Sequence, residues 1–152
     1  MTARGDYEGH LADAYGDLAA PTWHFVTRAL RANTTGDLYE AIHRRFPGTR
    51  EDTDPDCEVC FTYMVPADRF IAVKVSMAGP FATTTAYGRD GFGQAVLLTP
   101  GDSLSDSERW LLECVARHGY AILDAGELAR GVSIRLRPDA TTATVEQAFF
   151  HP

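Results

Sequence analysis

Five acidic side chains and two cysteines crowd into one stretch of ten residues, EDTDPDCEVC at positions 51–60. Asp52, Asp54 and Asp56 alternate like the opening of a calcium loop. Such a loop continues to a glycine at its sixth place and a bidentate glutamate at its twelfth. Counted from Asp52, those places hold Cys57 and Tyr63, and Pro55 stiffens the middle of the run. Cys57 and Cys60 have the spacing of a zinc or redox pair, but a structural zinc needs four ligands. No second C-x-x-C exists, and His10, His24, His43, His118 and His151 show no H-x₃₋₅-H spacing. The two cysteines also lie in a run that alternates as a strand. Side chains three apart there point to opposite faces, whereas a thioredoxin-type pair opens a helix. No metal and no cofactor is expected.

Other catalytic signatures are missing. The chain contains no G-x-S-x-G, H-E-x-x-H or G-x-x-x-x-G-K-[ST], the patterns that position a nucleophile, a zinc or a nucleotide phosphate. GRDGFG at 88–93 sits between two strand-like runs, where glycines serve hairpin geometry rather than phosphate binding. His118 falls in the last turn of a helix, a favourable place for an imidazolium through the helix dipole. Cys114 shares that helix's apolar face and reads as a small hydrophobe. Trp23 and Trp110 are expected at the core or its edge. No residue is selected as catalytic.

The elements that must carry these residues follow from periodicity. Tyr7, Leu11, Tyr15 and Leu18 recur at helical spacing up to Pro21. TWHFVTRALRA sets Trp23, Val26 and Leu30 on one face with Thr22 as N-cap, and DLYEAIHRRFPG sets Leu38, Ala41 and Ile42 on another. From residue 57 the period becomes two: CEVCFTYMV aligns Cys57, Val59, Phe61, Tyr63 and Val65, and RFIAVKVSM aligns Ile71, Val73, Val75 and Met77. FATTTAYG and QAVLLT follow as strands. The short gaps between them imply an antiparallel meander. Ser105 and Glu108 form a capping box ahead of Leu111, Leu112 and Val115, Gly119 ends that helix, and Asp124 with Glu127 repeats the pattern. VSIRLRP and ATVEQAFF are expected as a final strand pair. The fold class is α+β: N-terminal helices, then an antiparallel sheet of about six strands, with one long and one short helix before the last two. Residues 1–152 form a single domain.

Hydrophobic residues make up 45% of the chain and charged residues 23%, ordinary for a folded protein. Fourteen basic against twenty-one acidic side chains give a net charge of −7, which disfavours nucleic acid as a partner and suits a basic one. No apolar run is long enough to span a membrane. The N-terminal residues lack the basic-then-apolar order of a signal peptide. Three cysteines are too few for a disulfide framework, so the expected compartment is the reducing cytoplasm.

FIAVKVSMAGPFATTTAYG, then HGYAILDAGELARGVSIRL, then TVEQAFF resembles small uncharacterised bacterial α+β proteins over residues 57–150. Ser76, Gly79, Pro80, Gly119, Tyr120, Leu123 and Leu128 carry the likeness. Some proteins of that build are thought to be immunity proteins, which neutralise secreted toxins. The resemblance implies a non-enzymatic protein binder and transfers no catalytic residue.

On that reading Glu51, Asp52, Asp54, Asp56 and Glu58 steer a basic toxin or effector, and Phe61 or Tyr63 supplies an aromatic anchor. The alternative is a small enzyme or ligand-binding protein with a pocket between sheet and helices, lined by Tyr87, Arg89, Trp110 or His118. A third possibility is assembly, with a sheet edge or the terminal AFFHP burying against another copy. A monomer or homodimer is expected.

Overall fold

A computed structural model describes residues 5–88 and 94–152. The GRDGFG loop, with Arg89, lies outside the described residues apart from Gly88.

Three helices lead the chain. In α1 (Tyr7–Tyr15) the Asp6 side chain caps by accepting from the Gly9 N–H, and Tyr7, Leu11 and Tyr15 form the buried stripe. Helix α2 (His24–Ala32) buries Phe25, Val26 and Ala29 and ends at Asn33 in the left-handed region. This rotates the helix away from the expected stripe. Val26 is inside, but Trp23 is 42% exposed and Leu30 37%, so of the two expected places, core or edge, Trp23 takes the edge, its ring against the buried Tyr15. Helix α3 (Gly36–Arg45) buries Leu38 and Ile42 as its spacing predicts.

The sheet follows as a meander. Strands β1 (Arg50–Glu51), β2 (Cys60–Pro66), β3 (Phe70–Ser76), β4 (Phe81–Ala86) and β5 (Val96–Leu98) pair antiparallel in chain order. The long helix α4 (Asp106–Arg117) then returns the chain to β6 (Ala121–Ile122), which pairs parallel with β4. Both capping-box bonds predicted at Ser105 and Glu108 are present at the start of α4, and Gly119 closes its end with φ +94°. The short α5 (Ala125–Leu128) carries the expected Asp124–Glu127 box. No helix among the described residues is long and apolar enough to cross a membrane. The architecture is α+β, with a sheet of six strands.

The last expected strand pair is mostly something else. Only β7 (Gly131–Val132) and β8 (Ala143–Thr144) pair, and α6 (Val145–Phe149) follows at once. Thr144 caps α6 by accepting from the Gln147 N–H at 3.2 Å, while the Gln147 amide oxygen accepts from the Thr144 N–H at 2.9 Å. Val145, Ala148 and Phe149 then fall on one buried face. The β-branched and aromatic content that suggests a strand is overruled by this cap and helical spacing. After β7 the chain leaves the ladder, and the Arg135 N–H bonds the Leu18 carbonyl at 2.9 Å.

Strand register divides the core in two. Phe61, Tyr63 and Val65 lie opposite Val75, Val73 and Ile71, and these residues pack with Leu38, Ile42, Leu111 and Val115 of α3 and α4. Cys60 and Phe81 belong to the second cluster, built with α1 and α6. Gly79 is required there: a Cβ on it would lie 3.0 Å from the Phe149 and Phe81 rings. Ser76, the first residue of the same motif, uses its hydroxyl to accept from the Ala78 N–H at 3.0 Å. Ser76 and Gly79, two of the residues that carry the resemblance, therefore have structural roles.

Candidate functional site

The acidic stretch forms a ridge. Glu51 ends β1 opposite Tyr63, and the Asp52 N–H returns to the Thr62 carbonyl at 2.8 Å. At 54–57 the chain turns: the Asp54 carbonyl accepts from the N–H groups of Cys57 and Glu58, and its side chain accepts from the Asp56 N–H at 3.2 Å. Asn and Asp favour such self-capped turns. Glu51, Asp52, Asp54 and Asp56 are exposed. Cys57 is also exposed, in the turn rather than the strand, and the hydrogen bond and charge of Asp54 hold its thiol above the ordinary value. Cys60 is buried in β2, and burial pushes its thiol up to about 12. The two cysteines are separated, but not as opposite faces of one strand: the strand expected from Cys57 begins only at Cys60, and Cys57 lies in the turn before it. Among the described residues, no three His, Cys, Asp or Glu side chains group as metal ligands.

Glu58 alone turns inward. Its Oε1 receives the Lys74 ammonium at 2.9 Å, and its Oε2 accepts from the Thr62 hydroxyl at 2.8 Å. Burial alone would raise its pKa, but the hydrogen bonds from Lys74 and Thr62 outweigh that and leave it below the usual carboxylate value. His151 completes the cluster. Its Nε2 lies 3.3 Å from Lys74 Nζ and its Nδ1 3.7 Å from Glu58 Oε1. Burial, then the Lys74 charge, holds the imidazole below its ordinary pKa.

Two concavities flank the ridge. On one side a groove of about 660 Å³ runs between α2 and the turn, with Trp23, Leu30, Asp56, Glu58, Leu136 and Pro152 among its walls. Trp23 is braced edge-on against Tyr15, with ring centroids 5.1 Å apart. The buried Tyr15 hydroxyl donates to the Ala148 carbonyl at 2.7 Å. On the other side, over the open part of the sheet, a cavity of about 200 Å³ is lined by Asp52, Glu58, Thr62, Phe70, Lys74 and Tyr87, with Met64 and Ala72. Glu58 borders both.

The aromatic anchors expected beside the ridge are not available. Phe61 is 2% exposed and Tyr63 0%, because the alternation that makes β2 a strand points both rings at α3 and α4. Tyr63 is further committed by a hydroxyl hydrogen bond to Thr35. The exposed aromatic at this site is Trp23, which stands just ahead of α2 at the edge of the core. Of the residues expected to line a ligand pocket, the described ones, Tyr87, Trp110 and His118, are not gathered either. Tyr87 lines the small cavity, Trp110 packs on Phe46 across the α3–α4 side, and His118 is exposed with Nδ1 2.7 Å from the Cys114 carbonyl. Phe149 and Phe150 are 0% and 1% exposed. They fill this chain's own core and offer no aromatic face to a second copy.

No protein-family model, curated protein or solved structure matches the chain.

Proposed function

We propose that the protein is a non-enzymatic binding module of immunity type, and that the groove beside the acidic ridge receives a basic, apolar-faced segment of a toxin or effector. The observation that carries this reading is the pairing of Trp23 and Leu30, exposed along one wall, with Asp56 and Glu58 in the opposite wall and Asp54 exposed in the same turn, against the single groove-lining cation Arg137 among the described residues. Exposed large apolar side chains rimmed by charge mark interaction surfaces. A braced tryptophan makes a strong anchor because little side-chain entropy remains to be lost on binding. The acidic rim and the net charge of −7 select a cationic partner and accelerate encounter. Helix α2 has nine residues, so its wall is about 13 Å long at the rise of an α-helix. That matches a partner segment of two to three helical turns.

A pocket between the sheet and the α3–α4 layer has no comparable support. Tyr63, Val65, Ile71, Val73, Leu111 and Val115 fill that space, each at 0% exposure.

The test is surface plasmon resonance against the products of neighbouring genes, secreted toxins first. Trp23→Ala should raise the dissociation rate at least tenfold, as loss of a central aromatic anchor does. Replacing Asp52, Asp54 and Asp56 together with Asn should slow association and flatten its salt dependence. If no such product binds, or a product binds with Trp23→Ala unchanged, the reading is wrong.

A further inference from the structure

The groove's inner wall is tied to a titratable side chain. Pro152 and Glu58 both border the groove, and His151 sits between them in the polar cluster. A lysine ammonium has only hydrogens to give, so His151 Nε2, 3.3 Å from Lys74 Nζ, can bond it only as an acceptor, with its lone pair free. The proton then resides on Nδ1, the nitrogen facing Glu58 Oε1 at 3.7 Å. Backbone contacts hold the ring in this place: the Val59 N–H donates to the Phe150 carbonyl at 3.0 Å, and the His151 N–H donates to the Glu146 carbonyl at 3.1 Å.

We propose that His151 is a pH-sensitive latch on the binding groove: neutral, it accepts from Lys74 and keeps Pro152 and Glu58 in the wall; protonated, it leaves Lys74 and the wall opens. Three charged groups face the ring. Lys74 comes from β3, Glu58 from the turn before β2, and Glu146 from α6. Protonation replaces the Lys74 hydrogen bond with a cation–cation contact at 3.3 Å. Glu58 offsets this contact only in part: its Oε1 is 3.7 Å from Nδ1, its charge is shared with Lys74 at 2.9 Å, and burial and the Lys74 charge outweigh its attraction. Glu146 is exposed, and its attraction is weakened by water. Asp52, on the rim of the small cavity, is exposed as well. The ring therefore relieves the contact by moving outward, 39% of its side chain being already open to solvent. Because Glu58 belongs to the groove and to the ion pair together, the release reaches the groove directly. The inference rests on the groove being the binding surface proposed above, and it makes acid a signal for partner release.

The experiment needs no partner. Trp110→Phe leaves Trp23 as the sole tryptophan, and its emission is followed from pH 8 to pH 5 beside the His151 ring resonance in NMR. The emission change should track the His151 titration, with its midpoint below the ordinary histidine range. His151→Gln should abolish the change. Lys74→Met should move the His151 midpoint upward, whereas Lys74→Arg, which disturbs the packing but keeps the cation beside the ring, should leave it low. A flat Trp23 signal while His151 titrates overturns the latch. So does a transition that survives in His151→Gln. An unmoved midpoint in Lys74→Met overturns it too. Failure of the binding reading is seen separately, as absence of a partner at every pH.

Discussion

Lys74→Met tests the cluster most directly. The Lys74–Glu58 pair spans 2.9 Å, with side-chain exposures of 19% and 18%. Removing one partner from a fully buried pair costs about 3–5 kcal/mol, and an exposed pair is worth about 1 kcal/mol or less. This pair lies toward the buried end. Glu58 keeps the Thr62 hydroxyl at 2.8 Å, and the methionine stem still covers the sheet. The cost should therefore be about 2 kcal/mol at pH 7, between those limits. In a chain of this size that is a fall in Tm of about 4–8 °C. Glu58→Gln should cost a similar amount by removing the ammonium's counter-charge. The double variant should cost less than the two singles together, with a coupling of about 1 kcal/mol or more. Urea denaturation at constant m-value is the assay. Strictly additive losses, or single losses below about 0.5 kcal/mol, which is the range of ordinary surface substitutions, would refute the view that the pair is a coupled, desolvated unit.

Acidification should destabilise the fold in two stages. His151 has its pKa lowered on folding, so the stability it contributes is present above its unfolded pKa and is lost as pH falls through the folded one. Glu58 is also lowered and adds a second loss in the carboxylate range; urea midpoints measured from pH 8 to pH 3 should show both. Thr144→Ala removes the cap from α6 and should cost about 1 kcal/mol, read by thermal denaturation. Ellman's reagent should label one thiol in the native protein and three in urea, because Cys57 is exposed while Cys60 and Cys114 are buried. That labelling should be slow, since Asp54 suppresses the Cys57 thiolate.

Much of the fold was legible because local rules and tertiary packing agree. Ser105 and Glu108 announce α4, and the alternation of Phe61, Tyr63 and Val65 announces β2. The same alternation already buries Phe61 and Tyr63, so their assignment as partner anchors conflicted with the strand that holds them. TVEQAFF misleads for the opposite reason. Its composition favours a strand, and only the Thr144–Gln147 spacing, the same grammar as Ser105–Glu108, marks the short helix. The parallel pairing of β6 is two residues long and leaves no periodic trace. Trp23 and His151 are beyond local reading altogether. One depends on the rotation of α2 against Tyr15, the other on a contact between residues 74 and 151 that only the finished fold creates.

The outer margin of β4 carries a further consequence. β5 pairs with its second half, from Thr84 to Ala86, and β6 pairs with its first, from Phe81 to Ala82. Two short strands of opposite sense thus share a margin that one long strand would otherwise extend. The opposite margin of the sheet is β1, only two residues long, and both of them, Arg50 and Glu51, are charged and exposed. Unpaired strand margins recruit foreign strands into aggregates, and brevity and charge are the usual protections. Among the described residues the ladder therefore offers little template for intermolecular β-pairing.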